Sequence, residues 1–247
     1  MKQNIKWILL GLLAYVVFLI AKLPAIQLIS RLQLPANISI EGVSGTIWQG
    51  QARQLTINTL PIDKVEWQLS FWPLLTGKAR LDITAGNMRQ AEEVSFSGLL
   101  WLGKNSVAAQ NFSLYLPSDL VIAQLPLPVA VNASGRFSLK LDELEYMQGC
   151  QTLSGTGQWL NAQVLGLQNP LTLGTFNAEL SCIDNDVLIS VKEPNSFGLT
   201  AKARIPNNLH FAVEGRFKPD PSLPPEVQQA AQFFGKPDAE GYYPIEF

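Results

Sequence analysis

Few residues in this chain could carry out covalent or proton-transfer chemistry, and their spacing limits what it could be. The sole histidine is His210. Ser-His-Asp or Cys-His catalysis would rest on it alone, and a histidine-rich metal site is excluded. His210 falls on the polar phase of an alternating segment, with Ala212, Glu214 and Arg216, and reads as an exposed strand residue. Paired carboxylates can hydrolyse glycosides. The candidates are Glu92 with Glu93, and Asp142, Glu143 and Glu145 after a long strand. Nothing in the surrounding sequence holds either group in a cleft, so both read as solvated loop ends. Asp184-Asn185-Asp186 resembles a fragment of a calcium loop but lacks the glycine and the later glutamate. It reads as a turn between two strands. No G-x-S-x-G, Walker A or G-x-G-x-x-G occurs. The expectation is a chain that is not an enzyme and needs no cofactor or metal.

Cys150 and Cys182 are the two cysteines, too far apart for a C-x-x-C redox or zinc motif. In an oxidising compartment they can form one disulfide; the alternative is two buried thiols. The N-terminus favours export and therefore the bridge. Trp7 to Ala21 is an unbroken apolar run between Lys6 and Lys22. Its 15 residues make roughly 22 Å of helix, short of a ~30 Å hydrocarbon core. Leu23 to Ile29 is expected to add apolar length beyond a snorkelling Lys22. Ala21-Lys22-Leu23 and Leu23-Pro24-Ala25 fit the small-residue rule for signal cleavage poorly, so an uncleaved anchor is expected. Lys2, Lys6 and the amino terminus keep the tip in the cytoplasm and export the rest. Trp7 fits an interfacial position on the cytoplasmic side.

Composition agrees with a strand-rich exported domain. Charged residues make up only 15% of the 247, against about 25% in ordinary globular chains, so Gln, Asn, Ser and Thr supply the polar surface. The net charge is −2 with no basic block, which excludes nucleic-acid binding by counterion release.

The elements follow from alternation. Val65, Trp67, Leu69 and Phe71 share one face, and Ala79, Leu81, Ile83 and Ala85 another, separated by the turn Trp72-Pro73-Leu74-Leu75-Thr76-Gly77. Further strands are expected at Phe112–Leu116, 129–141, 150–160, 171–181, 186–192, 198–205 and 209–217. Ser118 is placed to cap a short helix through Gln124, ended by Pro126 and Pro128, at the boundary between two sub-sheets. A second helix is expected over 224–234, with Val227, Ala230, Ala231 and Phe234 as its apolar stripe and Gly235 at its end. Residues 242–247 read as an edge strand. The predicted fold is all-β with an N-terminal transmembrane helix: a curved antiparallel sheet, sandwich or groove. The division is a tip at 1–6, an anchor at 7–29, and β sub-domains at 30–126 and 127–247.

Glycine and tryptophan recur at fixed offsets. Gly45-Thr46-Ile47-Trp48-Gln49-Gly50 and Gly98-Leu99-Leu100-Trp101-Leu102-Gly103 both read G-x-x-W-x-G, with a looser echo at Ser154–Trp159. Each is expected at a bend in a repeated strand unit. Trp48, Trp67, Trp72, Trp101 and Trp159 are candidates for docking or lipid contact, with core packing the better reading for Trp67 and Trp159. A second echo is Gly135-Arg136-Phe137 and Gly215-Arg216-Phe217.

These residues resemble a known family. The anchor and Leu34-Pro35 lead into Glu41-Gly42-Val43-Ser44-Gly45-Thr46-Ile47-Trp48-Gln49-Gly50, then Val65-Glu66-Trp67-Gln68-Leu69, the Trp72–Gly77 turn, Cys150, Ser154–Trp159, Leu223-Pro224-Pro225 and Phe233-Phe234-Gly235. The chain is similar to the type II secretion system protein N family of Gram-negative bacteria. That resemblance implies a single-pass inner-membrane protein with its bulk in the periplasm, supporting export of folded proteins across the outer membrane. It implies other secretion subunits as partners, in the inner-membrane platform or the secretin. It also implies a distant relation to AsmA-like proteins, whose curved sheets have apolar grooves. Lipid binding or transfer is therefore the alternative function. The resemblance carries over no catalytic residue.

Overall fold

A computed structural model describes residues 2–31, 34–58, 60–122, 132–165, 170–207 and 212–246. Helix α1 (Lys2–Ala21) is followed by the short helix α2 (Ala25–Ile29). The apolar stretch up to Ile29 is not one continuous helix. The α1 helix stops at Ala21, because Pro24 is extended (φ −67°, ψ 134°) and starts a new helix whose Ala25 is buried.

The rest is one antiparallel sheet. Its strands are β1 (Ile38–Glu41), β2 (Ser44–Gly45), β3 (Gln49–Ile57), β4 (Leu60–Ser70), β5 (Ala79–Ala85), β6 (Ser95–Leu102) and β7 (Val107–Pro117). They continue with β8 (Ala133–Tyr146), β9 (Cys150–Leu165), β10 (Pro170–Ile183), β11 (Asp186–Val191), β12 (Thr200–Ile205), β13 (Ala212–Phe217) and β14 (Tyr243–Glu246). From β3 onward each strand pairs with the next in sequence, β1 flanks β3, and β2 pairs with β3 as a short spur. The expected antiparallel architecture is present, but the two sub-sheets are joined. Strand β7 pairs with β8 from Val107↔Tyr146 to Pro117↔Arg136. Pro117 tolerates this because it ends its strand. Helix α4 (Ser118–Ile122) lies where a helix was expected. Ser118 sits inside its first turn rather than capping it, and its Oγ is buried with no hydrogen-bond partner among the described residues. Pro126 and Pro128 lie outside the described residues.

The C-terminal reading holds. Helix α5 (Pro225–Ala231) runs into a 3₁₀ turn at Gln232–Phe234, with Ala231 buried. Gly235 follows at φ 115°, and β14 forms the far edge of the sheet.

Alternation produces the burial. Strand β5 alternates half-buried and exposed residues up to a buried Ala85. Strand β4 changes phase at Lys64 (φ 52°), so that Ile62 and Val65 are both buried. The apolar face carries two clusters. One joins Ala52, Ile62, Val65, Ala85 and Val94, with Trp67 packed against it. The other joins Ala162, Leu173 and Phe176, with Trp159 and Phe197 against it. No second sheet covers this face among the described residues. The accessible surface is 16353 Å² for 27.2 kDa, whereas a compact monomer of that mass exposes about 10,900 Å². The molecule is a single extended layer with a projecting helix.

Candidate functional site

The junction between α1 and the sheet is built by the first G-x-x-W-x-G copy. Gly45 takes φ 86°, and a Cβ there would lie 2.6 Å from the Gln49 carbonyl oxygen, so only glycine lets β2 fold back on β3. The reversal is closed by the Thr46 amide donating to the Gln49 carbonyl (2.9 Å) and the Gln49 amide donating to Thr46 Oγ1 (3.2 Å). The turn projects Trp48 toward the helix. Trp48 Nε1 donates to the Ile20 carbonyl at 2.8 Å, and the Ile47 amide donates to the Leu23 carbonyl at 3.0 Å. The Ile20 carbonyl, in the last turn of α1, also accepts from the Leu23 amide at 3.3 Å, so the sheet turn adds a second, shorter bond there and pairs the Leu23 carbonyl just beyond the helix. Pro24 forms a bridge with Thr46. Beside this lies the β4–β5 turn, in which helix α3 (Phe71–Leu74) leads into Leu75-Thr76-Gly77. Phe71 packs edge-on to Trp48 at 5.5 Å, and Trp72 edge-on to Phe71 at 5.7 Å.

The second copy is built differently. Trp101 lies within β6, cross-strand from Arg80, whose guanidinium sits 5.6 Å from its ring. Gly98 occupies a register shift between β6 and β7 and lies so close to Phe112 that a Cβ would be 2.6 Å from the Phe112 Cα. The two motifs are therefore not equivalent structural units. Trp48 is a turn residue aimed at a helix end, and Trp101 a strand residue. The echo at Ser154–Trp159 lies wholly in β9.

The apolar face carries a ladder of aromatic rings. Phe137 stacks on its register partner Trp159 (5.4 Å), and Trp159 on its partner Phe176 (5.5 Å). Phe197, Phe217, Phe234 and Tyr243 extend the series at centroid spacings of 5.0–6.3 Å. The second sequence echo has a structural counterpart here. In both Gly-Arg-Phe copies the phenylalanine joins the ladder and the arginine covers a tyrosine: Arg136 lies 4.3 Å above Tyr115, and Arg216 4.4 Å above Tyr242. Arg136 also donates to the Met88 carbonyl (2.6 Å) and Ser95 Oγ (2.9 Å), tying the 86–94 loop to β8. Desolvation lowers its pKa from the ordinary arginine value.

The groups weighed for chemistry do not converge. His210 lies outside the described residues. Asp142, Glu143 and Glu145 lie within β8, not on a loop end, because that strand runs on to Tyr146; all three are exposed. Glu92 and Glu93 lie in the loop before β6. Asp184 and Asn185 form the expected hairpin turn, at φ 50° and 67°. Its carboxylates face Arg204, with Asp186 at 2.6 Å and Asp184 at 3.2 Å, so a fixed cation occupies the position a metal would need. No metal-holding cluster exists among the described residues. The 450 Å³ depression lined by Gln51, Glu66, Gln68, Asp82 and Thr84 is open and mostly polar. Cys150 and Cys182 are bonded, their Cα atoms 5.5 Å apart, joining β9 to β10.

The profile of the family described as type II secretion system (T2SS), protein N, matches residues 36–246. The chain belongs to the type II secretion system protein N family. A type II secretion system protein N of Aeromonas hydrophila is 30% identical over all of this chain and 98% of its own length. That of Vibrio cholerae serotype O1 is 27% identical over 99% of this chain and 98% of its length. The Pectobacterium carotovorum protein of the same name is 25% identical over 95% and 92%. No solved structure matches. For this member of the protein N family, the matched region holds the whole sheet, from β1 to β14, together with the Trp48 turn.

Proposed function

We propose that the chain is a non-enzymatic component of the type II secretion system, anchored in the inner membrane by α1 and supporting export of folded proteins across the outer membrane. The observation that carries this reading is the end-to-end match to proteins named for that system. Among the described residues no helix is long and apolar enough to cross a membrane. What supports the anchor is the exposure of α1. Every large apolar side chain from Trp7 to Ile20 is exposed to water in the isolated chain, which is tenable only if lipid or a partner covers it. The basic residues Lys2 and Lys6 favour a cytoplasmic tip and a periplasmic sheet. The periplasmic part is read as sub-domains 30–126 and 127–247 sharing one sheet, each centred on its own apolar cluster. The partners are other secretion subunits, in the inner-membrane platform or the secretin. Deleting the gene should leave exoproteins in the periplasm, with secretion restored by the full chain. Normal secretion in the deletion strain would remove the reading of a required component.

A lipid-binding or lipid-transfer role is the second reading. It is favoured by the apolar face and its aromatic ladder, which no second sheet covers. Purified protein should then carry phospholipid; delipidated protein that takes up no fluorescent lipid would exclude it.

A further inference from the structure

We propose that the β4–β5 turn, Phe71 to Leu75, is a second membrane contact that sits in the headgroup–acyl boundary of the leaflet where α1 ends. The proposal rests on the reading of α1 as an anchor. The turn exposes apolar surface that no other part of the described chain covers: Trp72 is 77% exposed, Leu75 67% and Phe71 46%. Position, not exposure alone, identifies the occupant. Trp48 is hydrogen-bonded to Ile20, in the last turn of α1, and Phe71 and Trp72 follow from Trp48 in two ring-to-ring steps. A bilayer that covers α1 to its end therefore places its surface at this aromatic group.

Helix length and charge point the same way. The apolar run of α1, Trp7 to Ala21, offers roughly 22 Å of helix, less than a ~30 Å hydrocarbon core. A short helix draws its flanks toward the interface, and the flank on this side is the turn. Tryptophan is the side chain that prefers that depth, with an apolar ring and a polar N–H. The stretch from Phe71 to Gly77 holds no charged residue, so no ionic group has to be desolvated at that depth. With two attachments the sheet is held at a defined angle to the membrane instead of swinging on a single helix.

Spin labels in the full-length protein, reconstituted alone into nanodiscs of phosphatidylethanolamine and phosphatidylglycerol, test the proposal. The native cysteines are bonded to each other, so each added cysteine is the single free thiol. Leu13→Cys reports α1, Leu75→Cys the turn and Lys202→Cys the far strand β12. The expected result is a Leu75 label that collides with membrane-dissolved oxygen severalfold more than the Lys202 label, with less access to a water-soluble nickel chelate. A Leu75 label as accessible as that at Lys202, with the Leu13 label deep in the bilayer, overturns the proposal and leaves the anchor standing. If the Leu13 label is also in water, both readings fall. A Leu75 label shielded only after other secretion subunits are added assigns the turn to a protein partner and overturns the proposal.

Discussion

Trp48 Nε1 donates its proton to the backbone carbonyl of Ile20 at 2.8 Å, across 28 residues of sequence. A tryptophan in the first sheet turn thus closes the end of the N-terminal helix, and the orientation of that helix is coupled to the β3–β4 register. Trp48→Phe keeps the ring against Phe71 and removes the donor. The expected loss is about 1 kcal/mol at the junction. It should be read as roughly fivefold faster hydrogen exchange of the Ile47 amide, with the global unfolding transition unchanged. Unaltered exchange would mean that the Leu23 amide, which also donates to the Ile20 carbonyl at 3.3 Å, holds the junction without Trp48.

Arg136 donates one hydrogen bond to Met88 in the 86–94 loop and one to Ser95 at the start of β6, and covers Tyr115. Arg136→Ala should destabilise the protein by about 2 kcal/mol. Arg136→Lys should recover little, since an ammonium cannot reproduce the planar fork. Denaturant midpoints for the two variants, measured side by side, check both statements.

Phe176 is buried at the centre of the aromatic ladder, between Trp159 and Phe197. Phe176→Ala should cost about 3–5 kcal/mol, with loss of near-ultraviolet circular dichroism from the stacked rings. Phe176→Leu, which keeps most of the volume, should cost clearly less.

The bond between Cys150 and Cys182 closes a loop of sequence separation 32. Replacing both by serine should lower stability by about 3–4 kcal/mol on the chain-entropy account. Native protein should migrate faster on a non-reducing gel than after reduction; no shift, with both thiols open to alkylation, would contradict the bridge.

Acid should loosen the C-terminal segment first. Backbone amides of Tyr242 and Glu240 donating to Asp238, with Arg216 nearby, hold its pKa below the ordinary aspartate value. The side chain and amide of Ser222 do the same for Asp220. A depressed folded-state pKa means that the unfolded chain binds protons first as pH falls. The contribution of both groups is therefore present above the ordinary aspartate range and is lost as pH drops through it toward the folded values. Proteolysis between 218 and 246 should rise over that acid window, and Asp238→Asn should show the looser segment already at neutral pH.

Much of the fold was legible because strand alternation is a local signal. Leu81 and Ile83 declare their face within a few residues, and so do Val227 and Ala231 on a helix. The Asp184-Asn185 turn was equally readable, since two residues at positive φ between apolar strands need no distant partner. The continuity of the sheet was not. Pro117 and the prolines beyond it signal a break, but whether β7 and β8 pair across that break depends on hydrogen bonds between segments the local pattern does not connect. The repeat was misleading for the same reason. Identical G-x-x-W-x-G spacing around Trp48 and Trp101 describes the chain's chemistry, not the neighbours each ring meets.

The sequence by itself determined the class of this protein: apolar N-terminal run, alternating strands, two cysteines, scarce catalytic groups, and a motif set specific enough to indicate the family. Each of these is a property of residue type and near spacing. The tertiary structure alone decided that the apolar run ends as a helix at Ala21, that Trp48 closes that end, and that Phe137, Trp159 and Phe176 line up across three strands. Those are contacts between residues tens of positions apart, set by strand register and turn geometry, and no local preference encodes them.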